Sequence, residues 1–479
     1  MKLPRATESN SLPARGIISS PASISAVLLA TVFLLWPAVY NGFPLLMADS
    51  MTYLASGLPL ARAIFLQQFS DYYGMRSLLY SLSIFPFHWN VNPWPVVVLQ
   101  SLVAAWVLWL VVRMFSGRHT VGRYLLLVAL LSLLTSIAWY TCFLMPDVLG
   151  PLAYLSLFLL FFGRQSLSRV ERVGLCMVGW WGITAHATHL LLAAALVVLL
   201  ALFAAFERRP FMRSAPTLCG IAAVLALAVL APVALNTYLD GKPSLDGQRP
   251  PYLTARIVAD GPGRWYLESH CATEHWAVCG HLANVSNDAD SFLWGDNSPY
   301  DSATEDQKRL YEAQDVPLVL AAVRAYPREE LQMAAARFWQ QLFAFGLYDF
   351  DSSPWTIAQF NEVIPASRAS YLRSREAHGE LPLDALTRLQ LWTVRFSLVV
   401  SIGFALLSGR IYSRRLLGLA LVIGSMVVLN ALLTGVLSIV DDRYQCRVIW
   451  LIPLLAGVSL IEWSERRRDG QHRAAAHGS

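Results

Sequence analysis

Ten apolar runs, separated by short stretches rich in arginine, constrain the fold of this chain more than any other feature of its sequence. A membrane-spanning helix needs about 20 mostly apolar residues to cross roughly 30 Å of hydrocarbon. Because 56% of the residues are hydrophobic and only 14% are charged, the chain is too apolar for an ordinary soluble protein. The sequence predicts an all-α polytopic membrane protein with about ten transmembrane helices, near 23–43, 94–115, 123–141, 147–163, 174–187, 189–206, 217–236, 391–409, 417–438 and 448–464.

The run at 174–206 and the first run each need a separate argument. The run from 174 to 206 is interrupted by the sequence HATH, which leaves open whether it forms one helix or two. Since Thr184 to His189 are polar enough to form a turn at the membrane surface, we divide the run into two helices. The first run is followed by no small-residue cleavage site and is predicted to be a retained anchor.

The distribution of basic residues predicts the orientation of the helices. Positively charged loops stay on the cytoplasmic side, and about nineteen basic residues lie in one set of connections, against about four (Arg62, Arg76, Arg443 and Arg447) in the opposite set. We therefore expect both termini to be cytoplasmic. The larger set comprises Lys2, Arg5, Arg15, Arg113, Arg118, Arg123, Arg164, Arg169, Arg172, Arg208, Arg209, Arg213, Arg410, Arg414, Arg415, Arg466, Arg467, Arg468 and Arg473.

The net charge of +5 is explained by this topology and requires no nucleic-acid partner. The basic tail at 465–479 is expected to contact anionic lipid headgroups instead. It follows the C-terminal transmembrane helices at 391–464, and an N-terminal transmembrane module occupies residues 1–236.

Three segments are predicted to lie on the outer side, where they could meet over the bundle: a first loop at 44–93, a subdomain at 237–390 and a short loop at 439–447. In the first loop, MTYLASGLPLARAIFLQQF and MRSLLYSLSIFPFHW are amphipathic but interrupted by charge or proline, which is typical of interfacial helices. The subdomain is polar and is expected to be soluble and mainly helical, because residues 303–346 show the spacing of two helices.

Cys271 and Cys279 of this subdomain are spaced for a local disulfide, which an oxidising outer compartment would allow. The alternative is a metal site formed by both cysteines with His275 and His281. Structural zinc sites usually have more closely spaced pairs of cysteines, so the disulfide is the preferred interpretation.

Few ionisable residues lie at membrane depth, and those that do are functional candidates because their burial in lipid is costly. The inner helix ends carry only topological arginines, so an active site is expected to face outward. The candidates at the outer ends are Asp49, Arg76, Asp147, His186, His189, Asp441, Asp442, Arg443 and Arg447.

Asp49 directly follows the first apolar run and has two compatible interpretations. Asp is a favoured N-cap residue, so Asp49 could cap a helix that starts at Ser50. A carboxylate that faces water near a low-dielectric boundary can also act as a general base and deprotonate an acceptor hydroxyl. Asp147 follows Pro146 at the start of another predicted helix, where capping or the helix dipole alone would favour a negative charge.

His186 and His189 are three residues apart and would share a face of a helix. Together they could bind a phosphate, a metal or a carboxylate. The alternative is that both interrupt the apolar run and form local hydrogen bonds.

Arg443 and Arg447 are four residues apart in the sequence IVDDRYQCRVIW and would point the same way on a helix. Two guanidinium groups so placed could bind a phosphate through paired hydrogen bonds. The alternative is an ion pair with the neighbouring acids that closes the loop.

The order of these features resembles the GT-C class of polytopic glycosyltransferases, which includes the aminoarabinose transferases and the protein O-mannosyltransferases. The acid in MADSMTYL lies where that class has its first-loop catalytic carboxylate. MRSLLYSL is similar to the RPPLYYLL-type juxtamembrane segment without its prolines, and PDVLGPLAYLSLFLLFF resembles the DALLTFFLTLALYLF-type helix start. GITAHATHLLL falls where the class often has its next polar break. The resemblance covers residues 23 to about 206 and leaves the outer subdomain unmatched.

The resemblance implies inverting transfer of a sugar from a polyprenyl-phosphate donor to a glycan, lipid or protein acceptor, on the outer face of a bacterial inner membrane. Asp49 would be the base, and the phosphate contacts would come from Arg76, His186, His189 and Arg443, with Arg447 added by its spacing. Some members use a divalent metal and others use none, so no cofactor is assigned. The chain has no Gly-rich phosphate loop or Rossmann fingerprint, so the donor would have to be lipid-linked.

Two other functions compete with this one. An O-antigen polymerase or ligase also acts on lipid-linked glycans outside the membrane, but depends less on a first-loop acid. A transporter or flippase for lipid-linked sugars would require charged residues at mid-membrane depth and internal repeats with broken helices, which the sequence does not show.

Overall fold

The computed structural model describes residues 20–70, 73–117, 119–206, 211–247, 249–284, 288–295, 297–350, 353–407 and 413–477. Within these ranges the chain forms helices and no strand, apart from an isolated bridge between Leu45 and Phe143. The prediction of an all-α protein is confirmed. Part of the charge distribution used for orientation, namely Lys2, Arg5, Arg15, Arg118, Arg208, Arg209 and Arg410, lies outside the described residues.

The described residues of the N-terminal half form ten helices: α1 (Pro21–Asn41), α2 (Ala48–Leu66), α3 (Leu78–His88), α4 (Trp94–Phe115), α5 (Thr120–Leu134), α6 (Ile137–Cys142), α7 (Leu149–Phe162), α8 (Arg169–Thr184), α9 (Ala187–Phe206) and α10 (Phe211–Asp240). The next segment contains α11 (Tyr252–Ala259), α12 (Pro262–His270), α13 (Ala289–Trp294), α14 (Glu305–Ala325), α15 (Pro327–Phe343), α16 (Pro354–Val363) and α17 (Pro365–Tyr371). The chain ends with α18 (Leu383–Leu407), α19 (Arg414–Leu437), α20 (Asp442–Ile449) and α21 (Leu451–His477). Short 3₁₀ turns occur at Pro146–Val148, Arg164–Ser166, Ala277–Asn284 and Glu376–His378.

Seven helical spans in the described part of the chain are long and apolar enough to cross a membrane: α1, α4, α9, α10, α18, α19, and α20 together with the start of α21. This confirms a multi-pass membrane protein. The other three predicted segments form shorter helices: 123–141 becomes α5 and α6, 147–163 becomes a 3₁₀ turn and α7, and most of 174–187 lies in α8, which ends at Thr184. The run at 174–206 is divided at HATH, where α8 ends and α9 begins.

Local sequence explains where several helices begin and end. Gly42 follows α1 with φ +86°, a left-handed conformation that favours glycine. Ser168 and Glu171 form a reciprocal capping box at the start of α8. Glu171 also accepts a hydrogen bond from Arg113 at 2.6 Å, which ties the end of α4 to the start of α8.

The helices α7, α8 and α9 pack closely through two glycines. A Cβ on Gly182 would collide with the backbone oxygen of Leu149. A Cβ on Gly150 would lie 2.6 Å from Nε2 of His189. Because protein interiors are close-packed, a larger residue at either glycine would push α8 or the HATH sequence away from α7.

The three predicted outer segments contact one another. A second hydrophobic core, built on α11 to α14, is covered in part by Met75 of the first loop and Ile439 of the last loop. The side chain of Gln341 on α15 exchanges hydrogen bonds with the backbone of Asp441, at 2.7 and 2.9 Å. α15 therefore packs on the end of α19, where a Cβ on Gly435 would lie 2.8 Å from the Arg337 carbonyl.

Candidate functional site

Asp49 lies in the first turn of α2, between two arginines from distant parts of the chain. Its Oδ1 is 2.5 Å from Nη2 of Arg76, and its Oδ2 is 3.5 Å from Nη1 of Arg443. The expectation that it caps a helix starting at Ser50 is wrong, since α2 begins at Ala48 and Met47 holds the N-cap position. The Asp49 carboxylate is therefore a partner of guanidinium groups.

We call Asp49, Arg76 and Arg443 the outer layer, and it joins the three segments that the sequence predicts to lie outside. Arg76 stands just before α3 and also donates to the Tyr252 hydroxyl of the subdomain at 3.1 Å, while Arg443 belongs to α20. The side chains are 27% exposed for Arg76, 15% for Asp49 and 8% for Arg443. Solvent thus reaches the Arg76 and Asp49 side of the cluster most easily.

A second cluster, the buried layer, lies next to the outer layer and consists of Arg447 and the residues that it contacts. Arg447 is fully buried, and its Nη1 is 3.2 Å from Oδ1 of Asp147. Its Nε and Nη2 donate to Oδ1 of Asn430, and Nη2 also donates to the Thr188 hydroxyl at 3.3 Å. Although Arg443 and Arg447 share one face of α20, only Arg443 takes part in the outer layer.

Asp147 and the acids of the last loop have separate positions. Asp147 lies in the 3₁₀ turn before α7, where Met145 holds the N-cap position. Its carboxylate is 3% exposed and pairs with Arg447. Asp441 is the N-cap of α20 and accepts from the Arg443 backbone N–H at 2.8 Å. Asp442 lies in the first turn of α20. The loop is therefore closed by hydrogen bonds to its backbone. Among the described residues the ion-pair partners of Arg443 and Arg447 are Asp49 and Asp147, not the neighbouring acids Asp441 and Asp442.

His186 is placed to interact with the cluster. Its Nδ1 accepts from the Thr188 backbone N–H at 3.2 Å, so in the neutral ring the proton is on Nε2. Among the described residues, that Nε2 has no hydrogen-bond partner. Through Thr188, His186 is linked to Arg447.

His189 is 2% exposed. Its Nδ1 lies 2.8 Å from the Gly182 carbonyl, to which it must donate because a carbonyl only accepts. Its Nε2 faces Gly150. The two histidines have ring centroids 5.3 Å apart, but His189 packs between helices whereas His186 lies at the polar break.

Glu376 holds the segment that carries Asp49. This buried side chain accepts from the Leu46 backbone N–H at 3.0 Å and from Nδ2 of Asn41 at 3.3 Å. In return, the backbone N–H of Glu376 donates to Oδ1 of Asn41. The bridge between Leu45 and Phe143 fixes the same segment from the other side. Sequence analysis missed Glu376, because its partners lie more than 300 residues away along the chain.

Tyr53 was also missed. It follows Asp49 by one helical turn, is almost completely buried, and packs edge-on against Tyr80 with ring centroids 4.9 Å apart. Burial raises the pKa of its phenol, with smaller opposing effects from Arg76 and Asp49. A neutral hydroxyl at this position is a hydrogen-bond donor toward an anion.

Asp349 is a third residue without a sequence signal, in the loop after α15. Its pKa is raised to about 7, mainly by burial and also by the charges of Asp441, Asp442 and Asp147, and Arg443 opposes the increase. Its Oδ2 is buried and has no hydrogen-bond partner among the described residues.

Replacing Asp349 by Asn should therefore change the pH dependence of stability. The folded pKa is raised above the unfolded value of roughly 3.9, so the folded state holds the extra proton, and stability falls as pH rises from about 4 to about 7. Each pH unit in this window costs up to about 1.4 kcal/mol. We expect Asp349→Asn to flatten this dependence and to raise the unfolding temperature at pH 8, measured by thermal unfolding in detergent. An unchanged pH profile would show that Asp349 ionises normally.

The described residues contain no group of three or more His, Cys, Asp or Glu side chains arranged to hold a metal ion. Cys271 and Cys279 are joined by a disulfide, so these thiolates are not available to share a metal with His275 and His281. The chemical groups that the site offers are guanidinium, carboxylate, imidazole and phenol.

No family model, no curated protein and no solved structure matches this chain. Its function is therefore argued from the site. Most of the outer candidates converge there: Asp49, Arg76 and Arg443 in one layer, Asp147 and Arg447 in the next, with His186 linked through Thr188.

Proposed function

We propose that this chain is a membrane glycosyltransferase of the GT-C type, which transfers a sugar from a polyprenyl-phosphate donor to an acceptor hydroxyl on the outer face of the membrane. The observation that carries the proposal is a partly exposed Asp49 held between Arg76 and Arg443. In this arrangement all ten predicted segments cross a bacterial inner membrane, and both termini are cytoplasmic.

The arginines match the leaving group of such a reaction. A sugar phosphodiester carries one negative charge, and the lipid phosphate that departs carries a second. Guanidinium groups bind phosphate through paired, charge-assisted hydrogen bonds. Asp49 is the ion-pair partner of both Arg76 and Arg443 in the free protein, and its single negative charge balances only one of them. An incoming phosphate would replace the carboxylate as their partner and would release Asp49.

The released Asp49 would then act as the general base. It takes the proton of the acceptor hydroxyl while the acceptor oxygen forms a bond to the anomeric carbon. The bond between that carbon and the phosphate oxygen breaks, its electron pair leaves with the lipid phosphate, and the anomeric configuration is inverted. Arg76 and Arg443 stabilise the additional charge on the phosphate.

Arg76→Gln tests the donor interaction. One lost hydrogen bond to a charged group costs about 1.5–3 kcal/mol, so we expect the KM for labelled polyprenyl-phosphate sugar to rise by roughly 10- to 100-fold. The measurement is product formation by the purified protein in detergent. The matched control is Arg62→Gln, because Arg62 is exposed on α2 and makes no ion pair within the described residues.

Other outcomes would favour the competing functions. Movement of intact labelled donor across a vesicle membrane, without cleavage of its sugar-phosphate bond, would identify a transporter. Joining of whole lipid-linked glycans, with no transfer from monosaccharide donors, would identify a polymerase or ligase. Either result contradicts the proposed reaction.

A further inference from the structure

A groove of about 910 Å³ runs between α8 and α10, away from the candidate site. Its walls are apolar for most of their length and include Val173, Met177, Leu227 and Leu230, each more than half exposed. The Trp180 indole N–H donates to the Leu227 carbonyl at 3.3 Å, which links α8 to α10. A surface of this kind on membrane-spanning helices is suited to hydrocarbon chains.

One end of the groove is strongly basic. Arg164, Arg169 and Arg172 all line it, at the point where α8 begins. Arg164 donates to the Thr217 hydroxyl at 2.7 Å, and Arg172 donates to the Ser168 carbonyl at 3.4 Å. These contacts orient two of the guanidinium groups without neutralising them.

The nearest acid in the sequence does not balance these charges. Glu171 is committed to Arg113 at 2.6 Å and to the Ser168 backbone N–H at 2.8 Å. Among the residues that the structure describes, no carboxylate forms an ion pair with any of the three groove arginines. The charge bias that predicts topology therefore leaves a local excess of positive charge at one end of an apolar groove.

We propose that this groove binds one anionic glycerophospholipid, with its phosphate at Arg164, Arg169 and Arg172 and its acyl chains along α8 and α10. Basic pockets between membrane helices bind anionic headgroups in this way. From Thr217 to Ala234 the groove extends about 25 Å along α10 at 1.5 Å per residue. That length covers an acyl chain, which reaches through about half of a roughly 30 Å hydrocarbon core.

The proposal is tested by native mass spectrometry of the full-length protein titrated with phosphatidylglycerol and with phosphatidylcholine. We expect one phosphatidylglycerol to bind at least tenfold more tightly than phosphatidylcholine. R169Q/R172Q should reduce the preference for phosphatidylglycerol over phosphatidylcholine by about tenfold. The matched control R414Q/R415Q changes two exposed arginines at the start of α19, another apolar helix, and should keep the preference.

A second variant tests the groove itself. Gly220 lines the groove, and a Cβ on it meets no atom within 4 Å, so Gly220→Leu adds side-chain volume at the groove and should abolish the bound lipid. Gly122→Leu on α5 is equally unobstructed and should bind as the wild type does. Equal binding of both lipids, or loss of lipid in both control variants, would overturn the proposal. So would binding of polyprenyl phosphate alone, which would make the occupant a single-chain lipid phosphate.

Discussion

Asp49→Asn is expected to lower kcat for sugar transfer by about 100- to 10,000-fold, the usual contribution of a general base. Asn preserves the size of the side chain and can still accept a hydrogen bond from Arg76, but it cannot take a proton. Donor binding should not weaken, because the variant removes the carboxylate that competes with phosphate for Arg76 and Arg443. A fall in kcat with an unchanged or lower donor Kd would therefore identify Asp49 as the base.

The control for this variant is Asp306→Asn. Asp306 lies in the first turn of α14, as Asp49 lies in the first turn of α2, but it is exposed in the outer subdomain. It should leave kcat and thermal stability unchanged. Full activity of Asp49→Asn would exclude Asp49 as the base. A matching loss of kcat and of donor binding would assign it a structural role instead.

The helices were predictable where local hydropathy determines them. The seven long spans correspond to predicted runs because twenty apolar residues have few alternatives to a helix in lipid. The run at 123–141 breaks between α5 and α6, where the Ser136 hydroxyl donates to the Cys446 carbonyl at 2.7 Å. That partner lies 310 residues away, so the break depends on a tertiary contact that has no local signal.

The same distinction applies to the candidate site. Asp49, Arg76 and Arg443 could be predicted because charges at membrane depth are rare. Their pairing could not, since it requires two separate parts of the first loop, α2 and the segment before α3, to meet α20. Glu376 lies in a polar stretch, SREAHGE, where one more acid carries no signal. Its importance comes from burial against the Leu46 backbone.

Arg447→Met is expected to destabilise the protein by about 3–5 kcal/mol, the usual cost of removing one partner from a buried ion pair. Methionine has a similar length but no charge, so the buried Asp147 carboxylate would lose its partner at 3.2 Å. Oδ1 of Asn430 would also lose two hydrogen bonds. Arg395→Met is the control, because Arg395 is exposed on α18, lies over the Trp392 ring and forms no ion pair with the described residues. It should cost less than about 1 kcal/mol.

Unfolding can be followed with a thiol-reactive dye in a C176S/C219S background, in which the remaining free cysteines, Cys142 and Cys446, are both buried. Adding Asp147→Asn to Arg447→Met removes the unpaired charge and should recover part of the lost stability, because replacing both partners of a buried ion pair costs less than replacing one. The difference between the double variant and the sum of the single variants measures the coupling of the two residues. We expect the pair of Asp147 and Arg447 to hold α20 in place, and with it Arg443, which faces Asp49. Additive losses would mean that Asp147 and Arg447 contribute separately to stability, and would contradict this supporting role.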